Sequence, residues 1–141
     1  MSTQEKLDMM VFYAQYFIKT PYQWGGNNYS GYDCSGFVQE ALASVGLDPK
    51  GDQSAQTLYD YFSQRWDEKL NRGSLLFFGK SKKQITHVAL AVSKNFMLEA
   101  GGGGHLITNE AAARAANACI RIRPIDNRGD LVSTLFPRGE V

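Results

Sequence analysis

The sequence predicts an α+β domain in which N-terminal helices pack on a central antiparallel sheet. Apolar residues recur at helical spacing in the first half of the chain, whereas short apolar runs separated by turn residues follow Gly73. The 141 residues are 43% hydrophobic and 21% charged, as in ordinary globular proteins. A chain of this length can bury an apolar core without disulfides or metals, so we expect a single domain over residues 1–141.

The first two helices have recognisable ends. Ser2 and Glu5 form a capping box before an amphipathic segment, and Thr20-Pro21 is expected to end that segment. Asp33 is a good N-cap for the second helix, and Gly46 is a good stop at its C-terminus. The residues between the two helices, 23–31, are rich in Gly, Asn, Tyr and Ser and predict a loop whose backbone can approach a ligand closely.

Shorter patterns predict the remaining elements. A third helix is expected over residues 54–66, because apolar residues recur on one face. After Gly73, apolar runs bounded by turns predict strands, and an Ala-rich stretch predicts a short helix over residues 109–117. The predicted strands comprise residues 75–78, 87–92, 96–100 and 119–123.

Charge and hydropathy exclude several classes of partner. The formal net charge is +1 and the basic residues are scattered, so we expect no binding to nucleic acid. The longest apolar run, residues 88–92, is too short to cross a bilayer, and the N-terminus lacks the basic and apolar regions of a secretory signal. We therefore expect no membrane association and a protein that is cytoplasmic as synthesised. The sequence predicts no particular oligomeric state.

Cys34 is the candidate nucleophile of a cysteine hydrolase. It falls in the first turn of the predicted second helix, where free backbone N–H groups and the helix dipole favour a thiolate. The alternative is a small buried apolar residue, which is how we interpret Cys119 in its alternating strand. Two cysteines are too few for a disulfide framework, and neither has the neighbours of a zinc site, so no metal or other cofactor is expected.

A general base must take the thiol proton, and the chain contains the imidazoles of His87 and His105. His87 opens the apolar run 88–92 and would stand half-exposed at the edge of a rigid strand. His105 follows four glycines, which are a poor support for a catalytic base. His87 is therefore the candidate base, and a structural histidine is the alternative.

Glu99 is the candidate third residue, because an imidazole usually needs a group that fixes its tautomer and orientation. If residues 93–95 form a three-residue hairpin loop, Glu99 lies opposite Ala89. It is then a diagonal neighbour of His87, roughly 7–8 Å away between backbones and within reach of a long side chain. A four-residue loop would turn Glu99 to the opposite face, where it would be an ordinary exposed glutamate.

Four sequence blocks occur in an order that resembles a known family. They are PYQWGG (21–26), DCSGFV (33–38), LLFF (75–78) and HVAL (87–90). In this order and spacing they are similar to the NlpC/P60 family of cell-wall cysteine peptidases, over about residues 7–100. The resemblance implies a papain-like α+β core that hydrolyses peptidoglycan stem peptides, typically after D-γ-glutamyl, so the expected partner is a stem peptide or muropeptide.

The resemblance also implies roles for single residues. The catalytic positions of the family correspond to Cys34, His87 and Glu99. Relatives usually carry His, and sometimes Asn or Gln, in place of Glu99, and a carboxylate there favours an imidazolium paired with a thiolate.

Three further residues match positions that contact substrate in the family. Tyr22 matches a tyrosine that helps to hold the substrate or the oxyanion, while Asp33 and Ser35 match residues that recognise a free amino end of the stem peptide. Each has a structural alternative: Tyr22 as a core aromatic residue, Asp33 as a helix cap and Ser35 as a hydroxyl at a helix start.

Two other functions are left open by the sequence. One is a papain-like amidase that cuts the wall between glycan and peptide. The other is a non-catalytic module, such as a phage tail component, that docks wall peptide. Because the sequence shows no signal, we expect either delivery by a phage or secretion apparatus or a role on imported wall fragments, and the compact single domain favours a phage origin.

Overall fold

The computed structural model of the chain describes residues 1–22, 26–28, 31–101, 110–116 and 118–141. Its α-helices are α1 (Thr3–Ala14), α2 (Cys34–Ala43), α3 (Ala55–Ser63) and α4 (Glu110–Ala115), and short 3-10 turns span Gln15–Phe17 and Ile125–Asn127. Its strands are β1 (Asn27–Asn28), β2 (Gly31–Tyr32), β3 (Trp66–Glu68), β4 (Leu75–Gly79), β5 (Ile85–Ala91), β6 (Phe96–Gly101), β7 (Cys119–Pro124) and β8 (Leu131–Pro137).

A six-stranded sheet forms the centre of the fold, with strands in the order β3-β8-β4-β5-β6-β7. Every pair of neighbouring strands in this sheet is antiparallel. Because α1, α2 and α3 all precede this sheet in the chain and pack on it, the predicted α+β architecture is confirmed.

The helix starts follow the predicted caps. At α1 the Glu5 N–H donates to the Ser2 hydroxyl and the Ser2 N–H donates to the Glu5 carboxylate, each over 3.1 Å. At α2 the Gly36 N–H donates to Asp33 Oδ1 over 2.7 Å. The helical part of the first segment ends earlier than predicted, since α1 stops at Ala14 and continues only as a 3-10 turn.

The end of the third helix and part of the predicted loop differ from the prediction. The third helix ends at Ser63, because Trp66–Glu68 leaves it and pairs with β8 as an edge strand that buries Trp66. The local spacing of apolar residues predicted a helix as far as Trp66. Pairing with the distant strand β8 instead makes this segment a strand. Within the predicted loop, β1 and β2 form a small hairpin, while residues 23–25 and 29–30 lie outside the described residues.

The centre of the sheet is covered on both faces, which explains why β4, β5 and β6 are almost continuously buried. Val88, Leu90 and Leu98 belong to the main core with the helices, whereas the alternating residues Ala89 and Met97 pack in a second cluster beneath the second 3-10 turn. Helix α2 packs on β5 and β6, and this contact brings its first residue close to the strands that carry the other site residues. In the described parts of the chain, no helix has the length and apolarity needed to cross a membrane.

Candidate active site

One cleft brings the predicted site residues together. It is lined by all six of them, namely Tyr22, Asp33, Cys34, Ser35, His87 and Glu99. They come from a loop, the start of α2 and two neighbouring strands, so only the folded chain assembles them. His105 lies outside the described residues.

Cys34 is the first residue of α2 and is partly buried at the edge of the main core. The loop before it is held against the helix start, because the Asp33 N–H donates to the Gly26 carbonyl over 3.0 Å. A Cβ on Gly36 would lie 2.2 Å from the same carbonyl oxygen, so this position requires glycine. The backbone around the thiol is therefore fixed by close packing, and Cys34 lies at the positive end of the α2 dipole.

His87 is held between Glu99 and Cys34. Its Nε2 lies 3.0 Å from Glu99 Oε2, and the Cys34 thiol lines the same cleft and influences the pKa of the imidazole. An ionised carboxylate can only accept, so Nε2 carries the proton and Nδ1 remains for the thiol. The His87 side chain is 9% exposed, and Phe78 packs beside it with ring centroids 5.5 Å apart. His87 is thus more deeply placed than the half-exposed position that the sequence predicted.

The charge state of His87 is set by its two partners. Burial by itself lowers the pKa of the imidazole, but hydrogen bonds and charge interactions with Cys34 and Glu99 outweigh it and raise the pKa to about 9. An imidazolium is therefore the stable form near neutral pH.

The predicted hairpin register is confirmed. Ala91 pairs with Met97, and the Val92 N–H donates to the Phe96 carbonyl over 2.9 Å, which leaves residues 93–95 as the loop. This register places Glu99 on the face of His87, one step along the diagonal.

Glu99 is buried and charged. Glu99 is only 3% exposed. Its second carboxylate oxygen, Oε1, lies 3.7 Å from Arg123 Nη1. Burial raises the pKa of this carboxyl, but the hydrogen bond and charge of His87, with the charges of Arg123 and Arg128, lower it overall. The alternative of an exposed strand glutamate is therefore wrong.

Gly101 gives Glu99 the room to reach His87. A Cβ at position 101 would lie 2.9 Å from Glu99 Oε1 and 3.3 Å from its carboxyl carbon. We expect Gly101→Ala to displace the carboxylate and to lower kcat by roughly ten- to hundredfold, because small misplacements of catalytic groups have effects of this size. Steady-state kinetics on a stem peptide measures the change.

Gly129→Ala is the matched control for Gly101→Ala. Gly129 has no atom within 4 Å of the added Cβ in the described structure, and it is exposed. This variant is expected to keep wild-type kcat. Equal kcat values for the two alanine variants would show that the packing of Glu99 over Gly101 does not matter for activity.

Tyr22 is buried beside the nucleophile. Its N–H donates to the Ala118 carbonyl over 3.0 Å, which anchors its backbone next to β7. Burial, followed by the negative charges of Cys34 and Asp33, raises the pKa of its phenol to about 12. The hydroxyl therefore stays protonated over the pH range in which a peptidase works, and it can act as a hydrogen-bond donor.

Tyr22→Phe removes that donor while keeping the ring. We expect kcat to fall by roughly ten- to hundredfold. This loss is smaller than if the hydroxyl were the sole oxyanion donor, because N–H groups at the start of α2 remain. KM should change little if the hydroxyl acts only in the transition state. A large rise in KM with unchanged kcat would contradict this role.

Asp33 and Ser35 already have structural partners. Asp33 caps α2 through Gly36, and the Ser35 hydroxyl donates to Asp33 Oδ1 over 3.2 Å. The structural alternative for Asp33 is thus confirmed, and its carboxylate also lines the cleft. Binding of a substrate amine by this pair remains a prediction.

Arginines are the cleft residues that sequence reasoning missed. Arg121 and Arg123 on β7, and Arg128 beyond it, line the cleft. The alternation of basic and apolar residues in β7 was a signal for them, but only its register against β6 shows that they face the site. Within the described residues, no three His, Cys, Asp or Glu side chains are grouped closely enough to hold a metal ion.

Known proteins resemble the chain in sequence. It is 30% identical over 110 residues to LytE of Bacillus subtilis, a probable peptidoglycan endopeptidase, covering 76% of this chain and 31% of LytE. It is 27% identical over 124 residues to a gamma-D-glutamyl-L-lysine dipeptidyl-peptidase of Bacillus cereus, covering 86% of this chain and 33% of that protein. The chain thus spans about a third of the length of these relatives.

Solved structures of RipA, a resuscitation promoting factor interacting protein, share the fold. One superimposes with a TM-score of 0.74 at 20% identity, covering 99% of this chain and 65% of the RipA chain. Three RipA structures carry mutations at a cysteine, a histidine and a glutamate, respectively.

The family model described as the NlpC/P60 family matches residues 19–123, which extends the resemblance seen in the sequence through β7. This match covers well over half of the chain, and the site residues all fall inside it. The chain therefore belongs to the NlpC/P60 family.

Proposed function

We propose that the chain is a cysteine endopeptidase that hydrolyses the bond between D-γ-glutamyl and the diamino acid in peptidoglycan stem peptides. The observation that carries this proposal is the buried His87–Glu99 pair, joined over 3.0 Å, in the same cleft as the Cys34 thiol at the start of α2. A merely structural cysteine needs neither an oriented base nor a buried carboxylate behind that base.

In the first half of the reaction, the Cys34 thiolate attacks the scissile carbonyl carbon while His87 holds the proton. N–H groups at the start of α2 and the Tyr22 hydroxyl stabilise the oxyanion. The C–N bond then breaks, and the His87 imidazolium gives its proton to the leaving amine. The acyl part of the peptide remains bound to Cys34 as a thioester.

In the second half, water attacks the thioester carbonyl and loses its proton to His87. The C–S bond breaks, the acid product leaves, and the thiolate of Cys34 and the imidazolium of His87 are restored. Glu99 stays ionised throughout, because its role is to hold the imidazole and to stabilise its positive charge.

One similarity supports this choice of bond. The relatives named above include one peptidase whose name specifies the γ-D-glutamyl-L-lysine bond.

Digestion of purified muropeptides tests the proposal. Mass spectrometry should show products in which the peptide is cut after γ-glutamate, with the glycan–peptide bond intact. Release of the whole peptide from the glycan would instead identify an amidase. Failure of the folded protein to cleave any muropeptide would contradict the proposed function.

A further inference from the structure

Arg121 lies in the catalytic cleft beside the Cys34–His87–Glu99 group. In the β6–β7 ladder Arg121 pairs directly with Glu99, so the two side chains share one face of the sheet. Its guanidinium extends over Gly101, where Nη2 lies 3.8 Å from the position that a Cβ would occupy. Arg121 also lines the same cleft as the thiol.

The other two cleft arginines are engaged by carboxylates of the protein. Arg123 lies 3.7 Å from Glu99, and Arg128 donates to both oxygens of Asp130 over 3.0 and 2.9 Å. Arg121 differs, because its Nε is buried and finds no hydrogen-bond acceptor in the part of the chain that the structure describes. A buried donor without an acceptor is costly, and a guanidinium next to an open cleft can take that acceptor from a ligand.

We propose that Arg121 is a specificity residue that binds the free α-carboxylate of the γ-linked glutamyl residue in the substrate. This inference rests on the proposed function. A glutamate joined through its side chain keeps its α-carboxylate free, and this group belongs to the same residue as the scissile carbonyl. It must therefore enter the cleft together with that carbonyl. The planar fork of a guanidinium matches a carboxylate through two parallel hydrogen bonds.

Charge in the cleft favours the same ligand. Glu99 is already balanced by His87 and Arg123, which contact its two oxygens. The positive charge of Arg121 is therefore left to attract an incoming anion. A neutral carboxamide at the same place could accept from Nε but would carry no charge.

Two synthetic peptides test the inference, identical except that one carries an α-carboxylate and the other an α-carboxamide on the γ-linked glutamyl residue. Wild-type enzyme is expected to prefer the carboxylate peptide. Arg121→Gln should lower kcat/KM for that peptide by roughly ten- to hundredfold, mainly through KM, since a hydrogen bond to a charged group is lost. The same variant should lower kcat/KM for the carboxamide peptide much less, since only a neutral hydrogen bond is lost there. Arg121→Lys keeps the charge and should retain part of the preference.

Arg138→Gln is the matched control, because Arg138 is exposed and pairs with Asp67 outside the cleft. It should leave the preference at its wild-type value. Equal losses on both peptides in Arg121→Gln would assign Arg121 a structural role and overturn the inference. A wild-type enzyme that cleaves both peptides equally well would overturn it while leaving the proposed function intact.

If the wild-type enzyme cleaves neither peptide, the proposed function fails. The role of Arg121 is then tested separately by measuring binding of the two peptides. Calorimetry on Cys34→Ala would compare the affinities for the two peptides, with and without Arg121→Gln. A carboxylate preference that disappears with Arg121→Gln supports the inference. Equal affinities for the two peptides overturn it.

Discussion

Cys34→Ala is expected to abolish cleavage of stem peptides while the protein keeps its fold. The thioester needs the sulfur, and removal of a catalytic nucleophile lowers kcat by roughly 10⁴-fold or more. The side chain is only partly buried at the edge of the core, so the free energy of unfolding should change by about 1 kcal/mol or less. Muropeptide digestion measures the first effect and urea denaturation the second.

Cys119→Ala is the matched control, because Cys119 is the other free thiol, is also partly buried, and does not line the catalytic cleft. It should keep wild-type activity. In the Cys119→Ala variant, iodoacetamide should alkylate Cys34, and activity should be lost at the same rate as Cys34 is alkylated. Persistent activity in Cys34→Ala, or in fully alkylated protein, would exclude Cys34 as the nucleophile.

The sequence could predict this nucleophile because its features are local. Asp33 as a cap, Cys34 in the first turn and Gly36 beside it all lie within one helix start. Glu99 was predictable for a similar reason, since a short hairpin fixes which residues share a face, and a three-residue loop has few alternatives.

Features that depend on distant contacts could not be predicted in this way. Trp66 leaves the third helix only because β8, far along the chain, is there to pair with it. The depth of His87 depends on covering both faces of the sheet, which its own strand does not reveal. The sequence placed Arg121 in an alternating strand, but the face of the sheet on which it lies follows from the β6–β7 register, which pairs it with Glu99.

Glu99→Ala is expected to lower kcat by roughly 10²–10⁴-fold, the range that a positioned acid–base group contributes. The variant removes the acceptor of the His87 Nε2 proton, which lies 3.0 Å away, and leaves the buried imidazole free to change tautomer. It also removes the partner of Arg123. Glu140→Gln, an exposed carboxylate outside the cleft, is the control and should behave as wild type.

Glu99→Gln separates the charge of Glu99 from its hydrogen bond. Because Cys34 and Glu99 raise the pKa of His87 to about 9, wild-type kcat/KM should fall as the pH rises through about 9, when the imidazolium loses the proton that the leaving amine needs. Removing the charge of Glu99 lowers the pKa of His87, so this alkaline limit should move to lower pH. An amide can still accept the Nε2 proton, so more activity should remain at pH 7 than in Glu99→Ala. An unchanged alkaline limit in Glu99→Gln would show that the charge of Glu99 does not control the imidazolium, and the glutamate would then serve only to orient the ring.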